Sequence, residues 1–364
     1  MNEILEKKLE LFVTNRKTIR GKFIFDEPLM NVAAALIFTS ADSEADMEKM
    51  AECKKILNKE AFAFPKLKKT VKLALLSKMT LAEDPEAYVT DVKGVYDKIK
   101  KGFSSDNLYT ALAAMLICDI GIQDDCDEVI SKAAEIMKRM KKDHPFITTK
   151  ADTSFVMLLA LSYKDVDTII NELGEAYEYL NNSYKISVTA DALQGLCEML
   201  TLSYGDVKAK CDKAMKIYNA FAERKLDKSS DMIFSAIGAL IDIDQSPISL
   251  TDEILEADAF LKTQDGFKDG SMEKNHRAMY AAFIVAESYG KGSEISGNPF
   301  ISNTLSIIEA QKMVKLISFL INAAPSVVGA LIDSGDTSSA SSAAEAVSAA
   351  VEAVSANAAE KKEG

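Results

Sequence analysis

Residues able to do acid–base, metal or thiol chemistry are scarce in this chain of 364 residues, which has 2 histidines and 5 cysteines. His144 precedes Pro145 and follows the basic run Lys138-Arg139-Met140-Lys141-Lys142. A histidine in that place could carry a proton at physiological pH. The residue before a proline is disfavoured in helix, however, and a cation at a helix C-terminus complements the dipole, so His144 reads first as a helix end. His276 opens an apolar stretch with no Cys or His nearby, so a zinc site would need distant residues to converge.

The cysteines Cys53, Cys118, Cys126, Cys197 and Cys211 form no Cys-x-x-Cys pair and sit mostly in apolar, helical contexts. They read as buried thiols of a reducing compartment rather than nucleophiles, and cytoplasmic residence is expected. Asp242-Ile243-Asp244 and Gln264-Asp265-Gly266-Phe267 resemble elements of α/α-toroid terpene cyclases and prenyltransferases, where aspartates protonate the substrate or bind a metal-diphosphate. The first lacks the acids that would follow it, the second is a single copy that serves equally as a turn, and the chain has no Trp to line a carbocation cavity. The Gly-rich nucleotide loops and the His-Glu-x-x-His metalloprotease pattern are absent, so no cofactor or metal is expected.

Charge is distributed more tellingly than chemistry. Basic clusters close successive segments (Lys98, Lys100, Lys101; Lys138, Arg139, Lys141, Lys142; Arg224, Lys225), while acids open them (Asp46, Glu48; Asp84, Glu86; Asp124, Asp125, Asp127; Asp165, Asp167). Dipole complementation accounts for this pattern locally. Stacked in register, the same clusters would line up a basic rim and an acidic rim, and Lys138, Arg139, Lys141, Lys142 and His144 become candidates for docking an acidic or amphipathic protein segment. A net charge of −12 argues against duplex nucleic acid as the main partner.

These clusters need elements to position them, and the elements are helical. Hydrophobic residues are 48% of the chain, with only 7 Pro and 16 Gly. Leu161-Ser162-Tyr163-Lys164-Asp165-Val166 is echoed by Leu202-Ser203-Tyr204-Gly205-Asp206-Val207, a period of about forty residues that marks a repeat. An apolar anchor recurs at Ile56, Tyr96, Met137, Tyr177, Tyr218 and Ala257. After each anchor comes a short apolar helix: Lys72–Leu81, Leu108–Cys118, Ser154–Ser162, Ala192–Leu202, Met232–Ile241 and Arg277–Ser288, with an earlier member at Asn31–Thr39.

Each unit thus pairs a charged amphipathic helix with one apolar nearly all round, which only stacking can bury. Ser43-Glu44-Ala45-Asp46 and Thr149-Lys150-Ala151-Asp152 look like capping boxes, and Asp84-Pro85 like a cap followed by Pro at the first helical position. The expectation is an all-α helical-hairpin repeat of about seven hairpins, an α-solenoid or a closed α/α-toroid.

Three regions are expected: a repeat domain over 1–290, a linker and C-terminal capping helix over 291–332, and a Ser/Ala-rich mobile tail over 333–364. The apolar stretch Met313–Ile332 is interrupted by Lys315 and Pro325, so a capping helix is favoured over a membrane span. The charged N-terminus lacks the pattern of a signal peptide.

The segment Asp143-His144-Pro145-Phe146-Ile147-Thr148-Thr149, followed by Ala151-Asp152 and Phe155-Val156-Met157-Leu158-Leu159-Ala160, is similar to a motif of a bacterial family catalogued as domain of unknown function 4003. Ala33-Ala34-Ala35-Leu36-Ile37-Phe38-Thr39-Ser40 is similar to it as well, and the resemblance spans roughly residues 1–325. It implies no activity and no catalytic residue. The expected function is therefore a non-enzymatic interaction scaffold. An enzyme with a cavity at the centre of a toroid and a membrane-peripheral protein anchored through 313–332 are the alternatives.

Overall fold

The structure, a computed structural model, describes residues 1–22, 28–59, 69–104, 106–224 and 230–289. Among these residues every regular element is helical: α1 (Glu3–Lys22), α2 (Pro28–Ser40), α3 (Met47–Lys59), α4 (Lys69–Leu81), α5 (Pro85–Phe103), α6 (Leu108–Ile120), α7 (Asp127–Asp143), a 3-10 turn (Lys150–Asp152), α8 (Thr153–Leu161), α9 (Val166–Ser183), α10 (Ala190–Leu202), α11 (Val207–Glu223), α12 (Asp231–Gly238), α13 (Pro247–Thr263) and α14 (Lys274–Ser288). The linker, the capping helix, the stretch 313–332, the tail and Lys225 lie outside the described residues.

Local chemistry sets the boundaries. Asp84 accepts from the backbone N–H groups of Glu86 and Ala87, Pro85 takes the first helical position, and α5 stops where Ser104 turns left-handed. Asn107 caps α6, which ends at Gly121 with φ of 79°. Thr149 and Asp152 make the expected reciprocal capping box. The other anticipated box is corrected: Asp46, not Ser43, caps α3, accepting from the N–H groups of Glu48 and Lys49. Asp46 stands immediately before Met47, the first helical residue, whereas the Ser43 hydroxyl bonds the carbonyl of Glu44.

The two kinds of helix alternate. Odd-numbered helices keep an exposed face; in α7 only Ile130, Ala133, Ile136 and Met140 are buried, the stripe a 3.6-residue period dictates. Even-numbered helices are buried nearly all round: α14 is buried from Asn275 through Ser288 and α8 from Thr153 through Ala160. In α8, Phe155, Val156, Met157, Leu158 and Leu159 each contribute about 1.5–3 kcal/mol on burial. Such a helix is stable only with neighbours on every side.

Those neighbours are supplied in order. Each odd helix packs on the even helix that follows it, on the preceding odd helix and on the next, and even helices pack on even ones from α2 to α14. Lys8 donates to the carbonyl of Thr39, Lys49 to Ala82, Lys132 to Ser162 and Lys213 to Ile243, so the start of an odd helix lies beside the end of its even partner and each pair is antiparallel. At Thr39, Ala82 and Ser162 these bonds bring an ammonium group to the C-terminal end of an even helix, where it complements the dipole.

α1 also packs against α13 and α14. The Phe12 ring lies 5.3 Å from that of Phe267 and 5.7 Å from that of Tyr280. The N-terminal ammonium of Met1 pairs with Glu256 at 2.5 Å, and the Ser40 hydroxyl donates to Glu287 at 2.7 Å. Among the described residues, α1 and α2 are therefore joined directly to α13 and α14.

Candidate functional site

The sequence-derived candidates sit together at the end of α7 and in the turn that leads into α8. Lys138, Lys141 and Lys142 are exposed because the buried stripe of α7 lies on its other side. Lys138 pairs with Glu135 on its own helix at 3.4 Å. Arg139 turns aside to pair with Asp167 at the start of α9, which holds its guanidinium above the usual range. Arg139 thus joins two odd helices and is less free to meet a partner than the three lysines. Lys98 does the same toward Asp127 at 3.2 Å and Arg224 toward Asp252 at 2.5 Å, so part of each basic cluster is spent on acids in the N-terminal half of the next odd helix.

His144 is the C-terminal cap of α7, with φ of −131° and its N–H donating to the carbonyl of Met140. Its ring lies 4.8 Å from that of Tyr177 on α9. It faces the neighbouring odd helix, the helix-end position that its place before Pro145 predicts. Two residues on, Phe146 is 95% exposed, the only large hydrophobic exposed at this end among the described residues. Lys150 is exposed just beyond it. The arrangement is an aromatic side chain standing in water among lysines.

Behind that turn the surface connects to the interior. The Asp152 carboxylate accepts from the N–H of Thr149, and burial, with Asp191 nearby, pushes its pKa up to about 6. Gln194 bonds Asp152, accepts from the Thr148 hydroxyl at 3.3 Å and donates to Glu198 at 3.4 Å. Asp152, Gln194 and Glu198 are all buried. This chain fixes the turn carrying Phe146 to α10.

The opposite end, where even helices finish and odd helices begin, is of different character. It exposes Asp124, Asp125, Asp165 and Asp206 together with Ile120, Tyr163 and Tyr204. Tyr163 is 92% exposed, and the Lys164 ammonium lies 5.3 Å from the Tyr204 ring. Tyr163 and Tyr204 were visible in the sequence only as letters of the repeated hexamer. Their position just past the last apolar residue of a buried helix was the available signal of exposure.

The remaining candidates are structural. Asp242 accepts from the Ser203 hydroxyl at 2.5 Å, and Gln264–Phe267 is a turn with Phe267 buried and Gly266 at φ of 86°. His276 lies in the first turn of α14, its ring Nδ1 3.1 Å from the Glu273 cap. No group of His, Cys, Asp and Glu among the described residues could hold a metal ion. Cys53, Cys126, Cys197 and Cys211 are buried and Cys118 half-buried, all as free thiols. Burial first of all raises Cys118 and Cys211 to about 12 and moves Cys53 and Cys197 the same way, far from a nucleophile's range. No helix among the described residues is long and apolar enough to cross a membrane.

Fold and site together define an all-helical protein with charged, apolar-studded helix ends. The chain belongs to the family described as protein of unknown function (DUF4003), which covers residues 15–314. No curated protein and no solved structure matches it.

Proposed function

We propose that this chain is a non-enzymatic interaction protein of the cytoplasm, built as a closed ring of seven hairpins with two unlike docking ends. A repeat of about forty residues is supported by Lys8, Lys49, Lys132 and Lys213, which recur at that interval or twice it and each donate to a carbonyl at the end of the paired even helix or in the turn that follows it. Closure is supported by register. Lys78 to Asp119 and Ser203 to Asp242 join neighbouring hairpins near the ends of even helices, and Ser40 to Glu287 is the same pairing between the first and the last.

The observation that carries the interaction reading is Phe146, almost wholly exposed among Lys141, Lys142 and Lys150. An exposed aromatic anchor in a segment where exposed Lys138, Lys141, Lys142 and Lys150 outnumber the exposed Asp143 suits an acidic segment with an apolar side chain to offer. The test is affinity purification from the native host of wild type and of a variant carrying K138E, K141E, K142E and F146A. The reading expects an acidic partner that the variant loses while its melting curve stays cooperative; partners unchanged by the variant would contradict it.

One observation favours a second reading, an enzyme centred in the ring: buried carboxyls of Asp152 and Glu198 converge through Gln194. That reading expects D152N to abolish a turnover without lowering stability, whereas the interaction reading expects its effect to be on stability alone.

A further inference from the structure

We infer that the acidic partner of the basic end is a second copy of this chain, so that rings stack head to tail with Phe146 of one copy seated against Tyr163 of the next. The inference rests on the interaction reading and names its partner.

Among the described residues, the exposed large hydrophobics Met1, Ile4, Ile120, Tyr163, Tyr204 and Ile248 lie where odd helices begin, and Phe146 lies where they finish. Tyr163 and Tyr204 stand at the ends of neighbouring even helices, with the Lys164 ammonium 5.3 Å from the Tyr204 ring. The Tyr163 end carries the acids Asp124, Asp125, Asp165 and Asp206, while the Phe146 end carries Lys138, Lys141, Lys142 and Lys150. A chain with a net charge of −12 repels copies of itself in most orientations. Basic end on acidic end is the orientation in which the local charges attract.

The geometry makes the match a translation. Phe146 precedes α8 and Tyr163 follows it, so the two side chains mark opposite ends of one helix. Moving a copy along the direction of α8 by the height of a hairpin, about 25–30 Å as set by the longer odd helices α5, α7 and α9 at 1.5 Å per residue, brings the Phe146 end of one copy onto the Tyr163 end of the next. Asp124 and Asp125, in the turn before α7, lie at the Tyr163 end and meet Lys141 and Lys142 of the other copy. Such a contact is heterologous and does not close on itself, so it continues copy by copy. Between exposed charges it weakens as salt shortens the Debye length.

The experiment is sedimentation velocity of the full-length chain over a concentration series at low and high ionic strength, with two variants. One blocks the basic end (K141E, K142E, F146S) and the other the acidic end by neutral replacement (D124N, D125N, Y163S), so that the two altered ends do not attract each other; circular dichroism melts check that both fold. The wild type is expected to grow without stopping at a dimer at low salt and to dissociate at high salt. Each variant alone is expected to stay monomeric, and an equimolar mixture to form a species that ends at two chains, since only one intact pair of ends remains.

A wild type that is monomeric at low salt throughout, variants that associate like wild type, or a mixture that stays monomeric while wild type associates would each overturn the inference. A monomeric wild type whose basic end still captures an acidic host protein would overturn this inference alone and leave the interaction reading standing. If the triple variant of the basic end does not fold, K141E with K142E takes its place and the same outcomes decide.

Discussion

Arg16 in α1 donates through Nη1 to the backbone carbonyl of Asp265, 3.2 Å away and 249 residues along the chain. Its guanidinium lies 4.6 Å from the Phe267 ring, and burial, then Arg20, pushes it down to about 10. The turn that receives it turns at Gly266, whose φ of 86° is left-handed and whose Cβ, were there one, would collide with the guanidinium. A glycine here is required twice over.

Gly266→Ala is therefore expected to destabilise the protein by about 1–3 kcal/mol for the strained backbone, with the collision added. Chemical denaturation measures the loss. Arg16→Met in the same chain should recover the part due to collision and leave the backbone part, whereas a variant as stable as wild type would show that the turn does not meet α1.

Asp152 makes stability depend on pH. Its folded carboxyl titrates at about 6 against about 3.9 in an unfolded chain, so the fold binds the proton more tightly. Wild type is favoured in full below about pH 4, and that advantage is lost as pH rises through about 6. Relative to wild type, D152N should gain about 2–3 kcal/mol between those limits and nothing further above them. Urea unfolding of both proteins across this range checks it, and a flat difference would mean the carboxyl is not buried.

Lys132 donates to the carbonyl of Ser162, which caps the end of α8, and Lys213 to that of Ile243, in the turn that follows α12, at 2.7 and 2.8 Å. Replacing either by Met leaves those carbonyls without their cation and should cost about 1 kcal/mol. Equivalent positions in a proposed repeat should show similar losses, and the double variant their sum, since the sites are separate. Strongly unequal losses would contradict the equivalence.

The raised thiols predict silence toward alkylating reagents. Cys53, Cys118, Cys197 and Cys211 should react near neutral pH only as fast as the protein unfolds. Even half-buried Cys118 is included, because Asp91 and Asp119 add to the effect of its burial. Rapid native-state labelling followed by mass spectrometry at Cys118 would contradict this.

How far the sequence carried these conclusions depended on whether the cause was local. Alternating amphipathic and apolar helices were legible because the buried stripe of α7 and the unbroken apolar run of α8 follow from helical period alone. Asp84 and Thr149 were legible as caps because their signals lie within three residues. Ser43 was misread because Asp46, three residues on, offers a carboxylate nearer the helix start.

The candidate site was half legible. The lysines and His144 were found from composition near a helix end, but Arg139 was grouped with them because its partner Asp167 belongs to the next hairpin. Phe146 escaped as an anchor, since exposure of a turn residue is set by everything that packs around it. Contacts such as Arg16 with Asp265 were out of reach because nothing in either segment names the other.

The proposed ring stands or falls on whether α1 and the segment before α14 are energetically joined. The direct measurement is a double-mutant cycle of Phe12→Leu and Phe267→Leu, whose rings lie 5.3 Å apart. A closed ring predicts that the losses are not additive, with a coupling of about 0.5–1.5 kcal/mol. Losses that add to within about 0.3 kcal/mol would place the two rings apart and contradict closure.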